Sequence, residues 1–214
     1  MLNPPLSTLP YDVLVYIVDH VAALSADKDL RALCLTHRVF TYACQKWIFR
    51  TLRLYGGGKI SVDDQLQTKG AILPKAPLLS RWIRKIQLTN VNNQLFWLLS
   101  DPRFVSILQM LALSAVPPSE LGLAGTIFED DYFLATRLSQ SFLPWTLTTL
   151  VLRNCQNVPL AIITMLPRLR KLELDLVEAG TWEGCFENDD EIPAGKCSPA
   201  IEVFDSRQSH TMLA

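Results

Sequence analysis

Over the first fifty residues, apolar positions recur at three- and four-residue steps. Val13, Leu14, Ile17, Val18, Val21 and Leu24 share one face of a helix of about three and a half turns, which Ser7 or Thr8 can cap and whose first turn suits Pro10. A second helix is predicted from near Asp27, with Leu30, Leu33 and Leu35 facing inward. A third is predicted from near Thr36, with Val39, Phe40, Ala43, Trp47 and Ile48 as its buried stripe. Fewer than about 50 residues rarely bury enough surface to be stable alone, so residues 1–50 are expected to lean on the next segment of the chain or on another protein.

Beyond residue 50 the pattern changes to a short frame, apolar-x-x-apolar-x-apolar-x-x-apolar. It appears as Ile83/Ile86/Leu88/Val91, Leu108/Leu111/Leu113/Val116, Leu147/Leu150/Leu152/Cys155 and Leu169/Leu172/Leu174/Val177, with Phe49/Leu52/Leu54 matching until Gly57. Each frame predicts a short strand, and helix-like stretches lie between them at 93–100, 130–142 and 159–166. The frame starts are 34, 25, 39 and 22 residues apart, so the long intervals are expected to carry loop insertions near 56–77 and 117–131, where Gly56-Gly57-Gly58 and Pro117-Pro118 interrupt regular structure. Frames of this kind either stack into one continuous core or recur by chance in an ordinary α/β sheet with crossover helices. In the stacked reading, the residues between frame positions line an open face: Arg53, Tyr55, Lys85, Gln87, Met110, Val151, Arg153, Lys171 and Glu173. The competing reading of each is a solvated sheet residue with no ligand.

Composition narrows the classes. The chain has 214 residues, 49% apolar and 19% charged, with a mean hydropathy of +0.19. That is too apolar for a disordered protein, and 20 basic against 21 acidic residues excludes a strongly basic nucleic-acid binder. Residues 1–176 hold 18 basic and 13 acidic side chains, whereas 177–214 hold 2 and 8, so 178–214 is expected to be a separate, acidic and loosely ordered tail. Within it, 201–204 either folds back as a short covering strand or the chain is a shortened form of a protein with more repeats. The tail's few apolar residues favour the second. No apolar run reaches the roughly 18 residues of a membrane span. Five cysteines without a Cys-x-x-Cys pair, and no basic segment before the first apolar run, point to a reduced cytoplasmic or nuclear protein.

No catalytic constellation is legible, and no metal or cofactor is implied. His20, His37 and His210 have no cysteine or carboxylate at ligand or triad spacing, so His20 and His37 read as helix-surface residues. Gly56-Gly57-Gly58-Lys59 lacks the spacing of a phosphate loop and reads as a connector. Glu129-Asp130-Asp131 reads as acids favoured at a helix start more readily than as a cation site.

Two parts of the pattern carry a resemblance. The run Leu9-Pro10-Tyr11-Asp12-Val13-Leu14-Val15-Tyr16-Ile17, then Asp29-Leu30 with Leu33 and Leu35, then Arg38 and Phe40, resembles the F-box. The frames after it resemble irregular leucine-rich repeats, which accept a cysteine where Cys155 stands. Together they resemble F-box-like/leucine-rich-repeat proteins of the fungal type. The resemblance implies an α/β fold in which a three-helix F-box-like module at 1–50 precedes a short irregular leucine-rich solenoid of parallel strands at 51–177. It further implies that Leu9, Pro10, Val13, Leu14, Ile17, Leu30, Leu35 and Phe40 bind a Skp-family adaptor, and hence a cullin-RING ligase, while the open strand face holds an unidentified protein target. Nucleic acid and membrane are not expected partners. The alternative is an interaction module whose F-box-like helices only cap the solenoid, with no ligase role.

Overall fold

The computed structural model describes residues 9–24, 27–90, 94–128, 141, 143–159, 161–179 and 201–207. The chain forms two compact units, Met1–Thr51 and Leu52–Ala214. The fold is mixed α/β, with an N-terminal helical region followed by a parallel sheet.

In the first unit α1 (Tyr11–Leu24), α2 (Asp27–Thr36) and α3 (Arg38–Ile48) succeed one another with very short connections. The expected caps Ser7 and Thr8 lie outside the described residues. Helix α3 starts later than near Thr36 because His37 serves as its N-cap, its Nδ1 accepting from the Val39 N–H at 3.2 Å. This histidine caps a helix where a surface position was expected, whereas His20 is exposed on α1 and stacks on Tyr16. Leu14 and Val18 of α1, Leu30 of α2, and Phe40, Ala43 and Cys44 of α3 make the core. Trp47 Nε1 donates to Asp19 Oδ1 at 2.6 Å and ties α3 to α1. Burial pushes the Cys44 thiol up to about 11, with Cys34 adding to the shift, so its reactive thiolate is suppressed. Leu35, expected inward, is 87% exposed. At about 100° per residue it is rotated about 140° from Leu30 and about 160° from Leu33, nearly opposite the face they share.

The second unit is built on β1 (Thr51–Tyr55), β2 (Lys85–Thr89), β3 (Glu120–Ala124), β4 (Thr149–Val158), β5 (Lys171–Ala179) and β6 (Val203–Arg207). Their order in space is their order in sequence, and β2 to β6 are parallel at every step. The connections carry α4 (Val62–Ile72), a 3-10 turn (Leu73–Lys75), α5 (Pro77–Trp82), α6 (Gln94–Ser100), α7 (Pro102–Ala112), α8 (Leu143–Thr146) and α9 (Ala161–Thr164). When each parallel strand adds beyond the last and crossovers keep one hand, every connection falls on the same face. Burial obeys that rule. Ile86, Leu88, Leu121, Leu123, Leu150, Leu152, Leu172 and Leu174 point into one core with Leu66, Leu98, Phe104, Ile107 and Leu111 from the helices. The opposite face of the sheet carries polar residues.

Most of the strands lie where the frames predicted them, and one does not. Leu108, Leu111, Leu113 and Val116, expected in a strand, belong to α7 and the turn after it. Asp101 caps this helix, accepting from the Arg103 N–H at 2.8 Å, and Pro102 occupies its first position. Phe104, Ile107, Leu108 and Leu111 are buried at helical spacing, while Leu113 is 89% exposed. The strand comes later, as β3, with Leu121 and Leu123 in register with Leu150 and Leu152. The expected insertion near 117–131 is therefore this strand and its turn up to Phe128, and 129–131 lie outside the described residues. The expected insertion near 56–77 is chiefly the crossover helix α4, capped by Ser61. Gln65 of α4 bonds back to both backbone groups of Tyr55, closing the glycine connector, where Gly57 has φ +73°. The predicted helix at 93–100 is α6, and the one at 159–166 shrinks to the single turn α9. The one at 130–142 lies almost wholly outside the described residues.

The strands share a left-handed turn position. Asn90, Gly125, Asn154 and Leu176 come directly after register-matched residues of β2, β3, β4 and β5, and their φ values are 52°, 61°, 49° and 53°. At Gly125, where φ is +61°, a Cβ would come within 2.0 Å of Asn90 Oδ1, so a larger residue would be strained and would displace the Asn90 side chain. Asparagine adopts this conformation at lower cost than leucine, so Leu176 is the strained member of the series. Leu176→Asn should therefore raise stability by about 1 kcal/mol, read as a higher urea midpoint at unchanged slope. An unchanged or lower midpoint would show that Leu176 is held there without strain.

The tail departs from its expected loose order at one place. Val203 to Arg207 pair in parallel with Lys171 to Asp175, so a strand forms where the shortened-chain reading was preferred. This strand supplies hydrogen-bond partners to β5 but little apolar cover, because Phe204, in register with Leu172, is 58% exposed and Val203 lies on the opposite, polar face.

Candidate functional site

The polar face of the sheet arises from strand alternation: with Ile86, Leu88 and their equivalents turned into the core, the intervening residues project the other way. Register sets them in rows. Lys85, Glu120, Thr149, Lys171 and Val203 form one, then Gln87, Gly122, Val151, Glu173 and Asp205, then Thr89, Ala124, Arg153, Asp175 and Arg207.

Charges on these rows interact across five strands. Lys85 pairs with Glu120. Lys171 Nζ lies 2.5 Å from Glu173 Oε1, and an Arg153 guanidinium nitrogen lies 3.6 Å from Glu173 Oε2. The hydrogen bond from Lys171 holds the Glu173 carboxyl below its ordinary range, helped by Arg153 and Lys85. Reciprocally, Glu173 raises Lys171, with Glu120 and Asp205 adding to the effect. Solvent screens pairs this exposed, so the network orients side chains more than it stabilises the sheet. Beside it the face sinks into an open depression of about 370 Å³ lined by Arg153, Lys171, Glu173, Leu174, Asp175 and Asp205. No group of three histidine, cysteine or acidic residues able to hold a metal occurs among the described residues. No helix among them is long and apolar enough to cross a membrane.

Of the nine residues expected on this face, Arg53, Tyr55, Lys85, Gln87, Arg153, Lys171 and Glu173 stand on its strands. Two corrections are needed. Met110 lies on α7 and packs against the core on the helical side. Val151 does belong to the face but is only 5% exposed, a short side chain in register between Gly122 and Glu173, so it offers a partner almost nothing. The sequence pattern misses Glu120, because it assigns the strand ten residues too early, and Asp205, because it marks the tail as loose. Asp101-Pro102, a cap and then a first-turn proline, is the available sign that residues 102–112 begin a helix.

The residues marked by the F-box resemblance divide by exposure. Leu14, Leu30 and Phe40 are buried, Leu9 and Ile17 are half-buried, and Pro10, Val13 and Leu35 are exposed. Tyr16 and Leu24 add further exposed apolar surface on α1. No protein-family model matches the chain, and no curated protein and no solved structure matches it.

Proposed function

We propose that this chain is the substrate-receptor subunit of an SCF-type ubiquitin ligase, an F-box protein whose helical unit binds a Skp-family adaptor and whose leucine-rich strands hold a protein target. It performs no chemistry itself and acts by raising the target's effective concentration near the ligase. One observation carries the reading: Pro10, Val13 and Leu35, apolar residues at F-box positions, stand exposed on a helical unit whose core holds six buried side chains among the described residues. Large exposed apolar residues on so small a unit are what a partner would cover. The sequential parallel sheet with one polar face supports the second half, since such a face suits protein recognition.

The test is co-purification with a recombinant Skp adaptor. The unmodified chain should form a stable complex, and Val13→Asp with Leu35→Asp should weaken it at least about a hundredfold, because a carboxylate desolvated in an interface costs several kcal/mol. Both positions are exposed, so the variant should keep its circular dichroism spectrum. Leu14→Asp would be a poor choice, since Leu14 belongs to the core. Adaptor binding retained by the folded double variant would overturn the proposal.

A further inference from the structure

The helical side of the second unit carries a groove of its own. It runs between α4 and α7, holds about 340 Å³ and opens to solvent. Leu66, Ile107 and Met110 give it an apolar lining, and Met110, unbranched and only partly buried, adapts readily to what lies against it. Gly70 stands in the α4 wall. Glycine is unfavourable inside a helix, yet a Cβ at this position would meet nothing within 4 Å, so no packing contact demands it. Its effect is to keep the groove wide and to let another backbone come close. Gln67 on α4 and Ser106 on α7 also line the groove, and neither side chain forms a hydrogen bond among the described residues. The charged residue of the lining is Arg103, whose guanidinium is held by both Asp101 and Asp63.

We infer that this groove docks an extended, uncharged segment of a partner protein, with one aliphatic side chain against Leu66, Ile107 and Met110 and the adjoining peptide unit held by Gln67. A carboxamide offers both a donor and an acceptor, the complement of a peptide unit. Gln65, on the same helix, already binds Tyr55 in this way, its Oε1 accepting from the N–H and its Nε2 donating to the carbonyl. A helical partner would bring a backbone bonded to itself, whereas an extended segment leaves both groups open to Gln67. Charge selects the same occupant. With Arg103 neutralised by two carboxylates, an anionic segment or a lipid phosphate finds no unpaired cation among the residues lining the groove. The site is separate from the polar face of the sheet and does not rest on the ligase reading.

The probe is N-acetyl-leucine N-methylamide, one aliphatic side chain between two peptide units, followed by nuclear magnetic resonance through the methyl signals of Met110 and Ile107 in the full chain. Those signals should shift saturably. The glycine analogue and N-acetyl-leucine with a free carboxylate should each bind at least about fivefold more weakly, the first lacking the anchor and the second carrying a charge. Gly70→Leu fills the groove from a position with room for a side chain, so the variant should fold and lose the shifts. Gln67→Ala, at an exposed position, should weaken binding about threefold by removing the hydrogen bonds to the peptide unit. Signals that do not move, equal binding of the glycine analogue or the carboxylate, full binding in Gly70→Leu, or unchanged affinity in Gln67→Ala would each overturn the inference. The comparison of the three compounds needs no substitution, so it decides even if a variant fails to fold.

Discussion

Leu121→Asp should unfold the second unit, whereas Leu113→Asp should leave its stability within about 0.5 kcal/mol of the unmodified chain. Both leucines have apolar neighbours at two-residue spacing, and the repeat pattern read from the sequence makes Leu113 the core residue. The structure reverses that assignment: Leu121 is buried between the register-matched Ile86 and Leu150, and Leu113 projects from the end of α7. A carboxylate at position 121 would have to be buried without a partner or force the strand out of the sheet. Either cost is about 3–5 kcal/mol, a large share of a typical domain's 5–15 kcal/mol. Urea denaturation of both variants measures the difference. If Leu113→Asp proved the more damaging, the strand would lie where the sequence pattern put it and β3 would be misassigned.

Phe40→Ala should unfold the first unit. Phe40 is 4% exposed and is the largest side chain in a core completed by Leu14, Val18, Leu30, Ala43 and Cys44. Removing a buried phenyl ring costs about 3–5 kcal/mol, and a core this small has little else to hold it. Limited trypsin digestion should then cut rapidly after Arg38 and Lys46, both within α3. Leu35→Ala, at an exposed position on α2, should leave the digestion pattern unchanged and, under the proposed function, weaken adaptor binding. The two variants thus separate holding the unit together from contacting a partner, roles that the sequence motif does not distinguish. Resistance of Phe40→Ala to trypsin would mean that the ring is not what closes the core.

The helices of the first unit were legible because periodicity over ten or more residues overdetermines a helix. Val18, Phe40 and Ala43 landed inside as their spacing required. Strands β1, β2, β4 and β5 were legible for a related reason: Leu52/Leu54, Ile86/Leu88, Leu150/Leu152 and Leu172/Leu174 alternate between flanking turn residues. The candidate site was legible in proportion, with Lys85, Arg153, Lys171 and Glu173 placed on those strands by alternation alone. Glu120 and Asp205 were not, and each failure has a separate cause. A three-residue step such as Leu108 to Leu111 satisfies both a helix turn and the opening of the repeat frame, so local pattern alone cannot choose. In β6, Val203 and Phe204 are too few and too exposed to announce a strand, which exists because β5 offers a free row of backbone donors and acceptors.

The amino-acid sequence by itself determined that the chain begins with three amphipathic helices and continues as short strands with connecting helices, because hydrophobic period is a local property that each segment carries alone. Only the tertiary structure decided which leucines of residues 108–123 enter the core, that Val151 is covered, and that the last strand closes on β5. The physical reason is common to all three. Burial depends on what a neighbouring strand or helix presents in register, and register is a relation between segments that no single segment encodes.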